Sequence, residues 1–328
     1  MTVLVTGVAG FIGHYVALAL LARGERVVGI DNLNDYYDVR LKEARLRRFE
    51  GRNGFTFRKL DIADHRAVMA LKDEFKDIDR IVHLAAQAGV RYSLVNPFAY
   101  MDANGTGHLA MLEFARHLPE CKHMVYASSS SVYGGNTKLP FSVDDPTDKP
   151  ISIYAATKKA CELMSRSYAH LYRTKLTGLR FFTVYGPWGR PDMAAFLFAD
   201  RIMRGEPIEV FNNGDMKRDF TYIDDIVAGI LAALDRPPAD GGVESPPHRV
   251  YNLGNHKSEK LLDFIGIIER ELGQKARLDM KPMQPGDVKE TYADIAASER
   301  DLGFKPTTPI SVGLPRFIEW YKQYYGKN

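Results

Sequence analysis

The chain has 328 residues, of which 45% are hydrophobic and 26% charged, and its formal net charge is +3. This composition is typical of a globular protein with one large domain or two interleaved domains. The charge is too small to indicate a nucleic-acid partner, and no apolar run approaches the roughly 18 residues that a membrane span needs. Because Met1 and Thr2 lead directly into an apolar strand without a cationic leader, we expect a cytoplasmic protein with no membrane partner.

Cysteines and basic residues give little indication of function. Cys121 and Cys161 are the two cysteines, which is too few for a disulfide framework, and no spacing of ligand residues predicts a metal site. We therefore expect no metal cofactor. The densest basic segment, Arg40 to Arg52, is interrupted by Glu43 and Glu50 and is interpreted as a solvated helix face.

The first predicted strand, Thr2–Thr6, leads into a glycine turn and then into an apolar helix that reaches Leu21. Glycines in this context allow a tight turn and a close approach of backbone to a pyrophosphate, which faces the helix amino end. The second strand ends at Asp31, where a carboxylate accepts from ribose hydroxyls and repels the 2′-phosphate of NADP. NAD is therefore the predicted cofactor. The predicted binding residues here are Gly7, Gly10, Phe11, Ile12, Gly13, Asp31 and Asn32.

The following elements alternate between strand and helix, which predicts an α/β fold with a Rossmann-type, doubly wound parallel sheet. Further strands are expected near 55–60, 80–84, 123–127 and 176–181, with helices near 65–75, 97–117 and 152–172. Asp61 and Ile62 close the third strand and are predicted to contact the adenine, with a helix-entry cap as the alternative for Asp61. Leu84, Ala85 and Ala86 close the fourth strand, where small residues let a cofactor lie close.

Two stretches carry candidate catalytic residues. Ser128–Ser131 follows the apolar strand near 123–127, so its hydroxyls are expected at the carboxyl edge of the sheet, where such folds bind ligands. Tyr154 and Lys158 lie four residues apart in a predicted helix and therefore share one face. An ammonium beside a phenol stabilises the phenolate, which makes the tyrosine a usable base. The two long helices, near 97–117 and 152–172, have broad apolar faces that fit either a homodimer interface or packing on the sheet.

Together, the glycine turn, the serine run and the Tyr154–Lys158 pair resemble the extended short-chain dehydrogenase/reductase superfamily. Within it, three longer stretches resemble the UDP-glucuronate 4-epimerases: residues 31–38, residues 85–93 and residues 180–193. The resemblance covers essentially the whole chain. It implies reversible C4 epimerisation of UDP-glucuronate and UDP-galacturonate through a 4-keto sugar, with tightly bound NAD as cofactor. Related dehydratases carry an acidic residue in the serine run, and this chain has none there.

The resemblance also implies roles for individual residues. Tyr154 takes the proton of the sugar C4 hydroxyl, Lys158 holds the nicotinamide ribose and stabilises the phenolate, and Ser129 shares a proton with the substrate. Ser130, Ser131, Thr183 and Arg190 are candidates for holding the substrate carboxylate, with Arg91 nearby. A loop salt bridge is the alternative for Arg190, and a surface contact is the alternative for Arg91.

The C-terminal part is predicted to form a smaller substrate-binding lobe, because the regular alternation stops after Phe181. By resemblance, Arg218 contacts the diphosphate and Asp287 the uridine ribose, with a local Arg218–Asp219 pair as the alternative. The expected division is 1–181, with 224–254 returning to it, as the NAD-binding domain, and 182–223 with 255–328 as the lobe. Alternative functions are a UDP-glucose or UDP-N-acetylhexosamine 4-epimerase and a non-catalytic nucleotide-binding scaffold.

Overall fold

The computed structural model describes residues 1–284 and 288–326. Its larger sheet has seven strands: β1 (Thr2–Thr6), β2 (Arg26–Asp31), β3 (Phe55–Lys59), β4 (Ile78–His83), β5 (His123–Ser129), β6 (Leu176–Phe181) and, later in the chain, β11 (His248–Leu253). All neighbouring pairs are parallel, in the order β11-β6-β5-β4-β1-β2-β3. The strand order reverses between β1 and β4, which is where doubly wound sheets bind their ligands. The predicted fold class is confirmed.

Helices cover both faces of this sheet. The first eight are α1 (Phe11–Ala22), α2 (Val39–Arg47), α3 (His65–Glu74), α4 (Pro97–Tyr100), α5 (His108–His117), α6 (Ile153–Tyr172), α7 (Ala194–Met203) and α8 (Ile223–Leu234). Alternate residues of β1 face opposite layers: Val3 and Val5 join the core under α1 and α8, and Leu4 joins the core under α3, α5 and α6. Both layers are apolar, as buried parallel strands require.

The smaller lobe consists of short strands and the last helices. Its strands are β7 (Thr183–Tyr185), β8 (Pro207–Val210), β9 (Lys217–Arg218), β10 (Phe220–Tyr222), β12 (Glu259–Lys260) and β13 (Arg277–Met280), and its helices are α9 (Leu261–Leu272), α10 (Ala296–Leu302) and α11 (Ile310–Tyr325). The strands pair as β10 with β7, β12 with β9 and β13 with β8. In the structure, too, the regular alternation of strand and helix ends at β6, and these short strand pairs come after it in the chain.

One predicted helix, near 97–117, is irregular in the structure. Between α4 and α5 the segment Met101–Gly107 is a π-helix, in which the backbone hydrogen bonds span five residues. Within this segment the carbonyl of Asn104 also accepts from the Cys161 thiol on α6, at 3.1 Å. Such segments are often found at functional sites.

The interpretation of Arg40–Arg52 as a solvated face is wrong for two of its cations. Arg47 is exposed, but Arg45 is completely buried and only 5% of Lys42 is exposed. Nothing in the sequence indicates this burial, because long basic side chains at helical spacing usually lie at the surface. Here the buried face of α2 packs under the glycine turn and needs polar contacts there.

Candidate active site

A single cavity of about 1220 Å³ runs along the carboxyl edge of the large sheet and continues under the smaller lobe. It is larger than the roughly 300–1,000 Å³ of a typical small-molecule pocket, so it has room for more than one ligand. Every predicted site residue within the described part of the chain lines it. These residues are Gly7, Gly10, Phe11, Ile12, Gly13, Asp31, Asn32, Asp61, Ile62, Leu84, Ala85, Ala86, Arg91, Ser129, Ser130, Ser131, Tyr154, Lys158, Thr183, Arg190 and Arg218. Asp287 lies outside the described residues.

The glycine turn is packed backbone against backbone. A Cβ on Gly7, whose φ is +69°, would lie 2.8 Å from the amide nitrogen of Ala85, and one on Gly13 would lie 2.1 Å from the Gly7 carbonyl oxygen. Only glycine fits at either position. Gly10 begins α1 without a side-chain cap. The amino end of this helix therefore offers backbone N–H groups to an anion.

Asp31 and Asp61 line the same cavity. The Asp31 carboxylate accepts from the amides of Ala9 at 3.1 Å and Leu33 at 2.9 Å, and burial raises its pKa against the opposing charges of Lys42 and Arg45. Asp61 accepts from the Asn32 amide at 2.9 Å and from the Ala63 backbone at 2.9 Å. The cap of α3 is Asp64, so the helix-cap alternative for Asp61 does not apply.

Tyr154 and Lys158 lie in the first two turns of α6. Ser152 caps this helix by accepting from the Ala155 amide at 3.1 Å, which fixes where the helix starts. The Lys158 ammonium is buried and donates to the carbonyl of Ala127 at 2.9 Å, so its charge is fixed at the end of β5. The Tyr154 ring packs edge-on against Tyr100, with centroids 5.9 Å apart. Lys158 is thus held by a hydrogen bond to β5, and Tyr154 by the packing of its ring on Tyr100.

The serine run forms the end of β5 and a 3₁₀ turn, Ser130–Tyr133. The Ser129 hydroxyl accepts from the Ser131 amide and donates to the Ser131 hydroxyl, both at 3.1 Å. Ser128 points to the other side of the strand and donates to Glu162 at 2.6 Å. Both serines line the cavity, but the alternation of a strand turns the Ser128 hydroxyl to Glu162, whereas the Ser129 hydroxyl bonds within the serine turn.

A buried ion pair behind the serine turn was not predicted. Glu162, one turn after Lys158, accepts from Arg180 Nε at 2.8 Å and Nη2 at 2.9 Å. Arg180 also donates to the hydroxyl of Tyr133, which donates in turn to Asn252 at 2.6 Å. Burial raises the pKa of Glu162, but Arg180 outweighs this and holds the pKa below its usual value. The network joins α6, β5, β6 and β11.

Asn104 in the π-helix was also missed. Its amide oxygen accepts from the Gln87 backbone at 2.9 Å, and its nitrogen donates to the Gln87 carbonyl at 2.9 Å and to Thr157 at 3.1 Å. It thereby ties the loop after β4 to α6, between Tyr154 and Lys158. The signal in the sequence was the polar, glycine-containing run Asn104–Gly107 inside an apolar helical pattern.

The candidates for holding the substrate carboxylate come from different elements: Ser130 and Ser131 lie in the serine turn, Thr183 in β7, and Arg190 in the loop after β7. Arg190 pairs with Asp192, with Nε at 3.0 Å from Oδ1, and Tyr36 donates to the same carboxylate at 3.0 Å. The loop salt bridge considered for Arg190 is therefore present, although the residue also lines the cavity. The Arg91 guanidinium lies 4.4 Å from the ring centroid of Phe211, so it contacts the facing lobe.

Arg218 lies on β9 at the lobe wall of the cavity. It donates to the carbonyls of Lys217 at 2.9 Å and Lys289 at 3.1 Å. The carboxylate of neighbouring Asp219 is fully buried and accepts instead from the amides of Asn255 at 2.6 Å and Ala293 at 3.1 Å.

Comparisons with known proteins agree with this geometry. Residues 3–254 match the model of the NAD dependent epimerase/dehydratase family. UDP-glucuronate 4-epimerase 4 of Arabidopsis thaliana is 49% identical over 336 residues, covering 99% of this chain and 76% of that protein.

Two solved structures have the same fold over nearly the whole chain. A UDP-glucuronic acid 4-epimerase from Bacillus cereus, in complex with UDP-glucuronic acid and NAD, superposes with a TM-score of 0.90 at 34% identity, covering 99% of this chain and 100% of that one. A UDP-glucose 4-epimerase from Thermotoga maritima, with UDP-glucose, gives 0.87 at 28%, covering 99% and 100%.

The chain belongs to the NAD dependent epimerase/dehydratase family.

The residues of this epimerase fit the cofactor of its family, NAD. The glycine turn leaves no space for a Cβ, the uncapped end of α1 faces the cavity, and Asp31 stands where a ribose hydroxyl would be recognised. The prediction of NAD is therefore confirmed. In residues 1–284 and 288–326, no three His, Cys, Asp or Glu side chains are arranged to hold a metal ion. No helix in the described part of the chain is long and apolar enough to cross a membrane.

Proposed function

We propose that this epimerase interconverts UDP-glucuronate and UDP-galacturonate by inverting C4 of the sugar. One observation carries the proposal: the Tyr154–Lys158 pair shares its cavity with hydroxyls and a guanidinium suited to a carboxylate, Ser129–Ser131, Thr183 and Arg190. The Bacillus cereus enzyme that binds UDP-glucuronic acid supports it at 34% identity over nearly the full chain.

The catalytic groups act on a single proton. Tyr154 removes the proton of the C4 hydroxyl and later returns it, while Ser129 shares a hydrogen bond with the same oxygen. Lys158, fixed by the Ala127 carbonyl, stabilises the phenolate that makes this possible. When bound, NAD supplies the acceptor and donor of the C4 hydride. Because the substrate regains its own hydrogen on the opposite face, no added coenzyme is consumed.

The substrate carboxylate makes the 4-keto intermediate prone to decarboxylation. A 4-keto uronate is a β-keto acid, and it loses carbon dioxide when the C5–carboxylate bond breaks and its electron pair moves into the carbonyl π system. Ser130, Ser131, Thr183 and Arg190 are proposed to hold the carboxylate out of that alignment by charge-assisted hydrogen bonds. Asp192 and Tyr36 would keep Arg190 in place for this task.

The nucleotide is proposed to lie toward the smaller lobe. Arg218 would bind the diphosphate, since a planar guanidinium matches phosphate oxygens, and Arg91 is proposed to lie near the substrate carboxylate. Asp287 is proposed to accept from the uridine ribose. The division into a cofactor domain, 1–181 with 224–254, and a sugar-nucleotide lobe, 182–223 with 255–328, follows from this arrangement.

The function is tested by giving the purified protein UDP-glucuronate with no added NAD and separating the products by chromatography. UDP-galacturonate is the expected main product, with little UDP-pentose. A parallel incubation with UDP-glucose is the control for sugar choice. Turnover of UDP-glucose alone, or no turnover without added NAD, would contradict the proposal.

We also propose that the chain acts as a homodimer in the cytoplasm and supplies precursors for acidic polysaccharides. Large apolar side chains are exposed on α4 and α6, including Phe98 at 78% and Leu171 at 65%, and these helices pack side by side. Light scattering after size exclusion should give about twice the mass of one chain. Leu163→Glu on α6 should give a monomer. The control, Val243→Glu on an exposed loop, should remain a dimer. A monomeric parent protein would refute the proposed dimer.

A further inference from the structure

Arg45 on α2 is completely buried and uses its whole guanidinium. The group has five N–H donors, and the structure gives it five hydrogen bonds. Nη1 donates to the Ala9 carbonyl at 3.0 Å and to the Tyr37 hydroxyl at 2.6 Å. Nη2 donates to the Trp188 carbonyl at 2.7 Å and to the Gly189 carbonyl at 3.2 Å. Nε donates to the Trp188 carbonyl at 3.2 Å. No acceptor among these is a carboxylate.

These acceptors belong to the two halves of the site. Ala9 is part of the glycine turn, and its amide donates to Asp31, so its peptide lies between Asp31 and Arg45. Trp188 and Gly189 directly precede Arg190 in the chain. A single guanidinium therefore joins the cofactor turn to the loop that presents Arg190 to the cavity.

The loop needs such a contact because its backbone is strained. Trp188 has φ +62°, a left-handed conformation that is rare and strained for a bulky residue. In this conformation its carbonyl accepts two N–H groups of Arg45. Without them, the strain favours a different loop conformation, and the adjacent Arg190 moves with the loop.

A residue that only held the glycine turn and the Trp188 loop together would not need to carry a positive charge. Burying a charge without an ion-paired carboxylate costs free energy, and none of the ion pairs among the described residues includes Arg45. What the guanidinium provides is a rigid planar fork that reaches carbonyls on two sides at once, which a lysine cannot reproduce.

We propose that Arg45 is a positioning residue that fixes Arg190 relative to the cofactor turn, and that it thereby limits loss of carbon dioxide from the keto acid. This inference rests on the proposed function, because it assigns Arg190 to the substrate carboxylate. Arg45 itself is not among the residues that line the cavity.

The test compares Arg45→Lys and Arg45→Met with Arg47→Met, an exposed arginine on the same helix. Arg45→Lys keeps the charge but not the fork. We expect both Arg45 variants to raise the UDP-pentose share of the product at least fivefold and to lower kcat for UDP-glucuronate about tenfold. KM should change less than kcat, and Arg47→Met should match the parent protein. A contribution to folding alone would not alter the product ratio of the folded enzyme.

Two readouts need no turnover. The chain has two tryptophans, Trp188 and Trp320, whose rings are 5.4 Å apart, so intrinsic emission reports on this loop. We expect a shifted emission maximum in both Arg45 variants, and less NAD released per chain on denaturation, with neither change in Arg47→Met. If Arg45→Met fails to fold, Arg45→Lys decides: parental products and emission would overturn the proposal.

A double-mutant cycle separates this proposal from the function on which it rests. If Arg45 acts through Arg190, then Arg190→Lys and Arg45→Lys together should raise the UDP-pentose share little more than Arg190→Lys alone. If the two substitutions instead raised the UDP-pentose share independently, so that their fold-changes multiplied in the double variant, the proposal would be overturned. If the parent protein makes no UDP-galacturonate, the proposed function fails, and unchanged emission and NAD content in Arg45→Lys would show separately that Arg45 does not fix the loop.

Discussion

Lys158 places a buried positive charge at one point, beside Tyr154 and against the carbonyl of Ala127. A lysine on a surface helix would instead sample many rotamers and would be screened by solvent. The sequence predicted that Tyr154 and Lys158 share a face, since that depends only on their spacing. It did not indicate the anchor, because Ala127 is 31 residues away and reaches Lys158 only through the packing of α6 on β5.

Tyr154→Phe removes the hydroxyl that is proposed to move the proton and keeps the ring that packs on Tyr100. We expect kcat for UDP-glucuronate to fall about 10²–10⁴-fold, the usual contribution of a general base, while NAD stays bound. Product formation and NAD content are measured on the same sample. Tyr172→Phe, at the exposed end of α6, is the control and should retain full activity. Near-parental turnover in Tyr154→Phe would refute the assignment of the base.

Arg190→Lys keeps a cation in the cavity but loses the planar contact. We expect kcat/KM for UDP-glucuronate to fall about 10–100-fold, as one or two charged hydrogen bonds are lost, and the UDP-pentose share to rise. Arg204→Lys, on the exposed end of α7, is the matched control. Unchanged rates and products in Arg190→Lys would refute the assignment of Arg190 to the substrate carboxylate. Its salt bridge to Asp192 would then be its remaining role.

At the scale of elements, the amino end of α1 fits against the turn before it so closely that only glycine is possible. Sequence spacing predicted the turn, because strand, glycines and helix follow one another within a few residues. The close approach of Gly7 to Ala85 joins elements 78 residues apart, and only the folded sheet shows it.

Gly13→Ala places a methyl group 2.1 Å from the Gly7 carbonyl, so the turn must open. We expect the purified variant to retain little NAD and to lose most of its activity. The control is Gly266→Ala in α9, where an added Cβ meets nothing within 4 Å and should stabilise the helix by about 0.5–1 kcal/mol. NAD release on denaturation and the thermal midpoint are the measurements; full NAD content in Gly13→Ala would contradict the packing.

Helix α6 is held to the sheet by the buried Glu162–Arg180 pair. Glu162→Gln leaves the guanidinium of Arg180 buried without a counter-charge, and we expect a loss of about 3–5 kcal/mol in the free energy of unfolding. Urea titration measures this. Glu319→Gln, an exposed position on α11, should change the same quantity by less than about 0.5 kcal/mol. A loss equally small in Glu162→Gln would show that the pair does not anchor α6.

On the scale of the whole molecule, burial of histidines makes stability depend on pH. Burial lowers the pKa of His123 to about 4, that of His248 to about 4 and that of His108 to about 3. These residues lie on β5, β11 and α5, and each accepts or donates hydrogen bonds within the core, such as His123 with Thr177 at 2.9 Å. The folded protein therefore keeps them neutral under conditions in which the unfolded chain protonates them.

The unfolded histidine pKa is about 6.5, so below that pH the unfolded chain binds more protons and stability falls. Between pH 7 and pH 5 each of the three histidines should cost about 2 kcal/mol. Asp219 has the opposite effect on stability, because burial raises its pKa to about 6 and the folded protein therefore binds the extra proton. Its contribution at pH 5 is only about 1 kcal/mol. Urea midpoints at the two pH values are the measurement, and His123→Gln should reduce the difference. A midpoint that rises toward pH 5 would contradict the sign.

Some of this protein was determined by sequence alone, because the relevant contacts are local or periodic. The glycine turn, Asp31 at the end of β2, the serine run after β5 and the Tyr154–Lys158 spacing each depend on neighbours within a few residues, and parallel topology then brings the strand ends to one edge. The tertiary structure alone placed Arg45 between Ala9 and Trp188, Glu162 against Arg180 and Asn104 against Gln87. These contacts join segments far apart in the chain, and whether a basic side chain is solvated or buried depends on what packs over it.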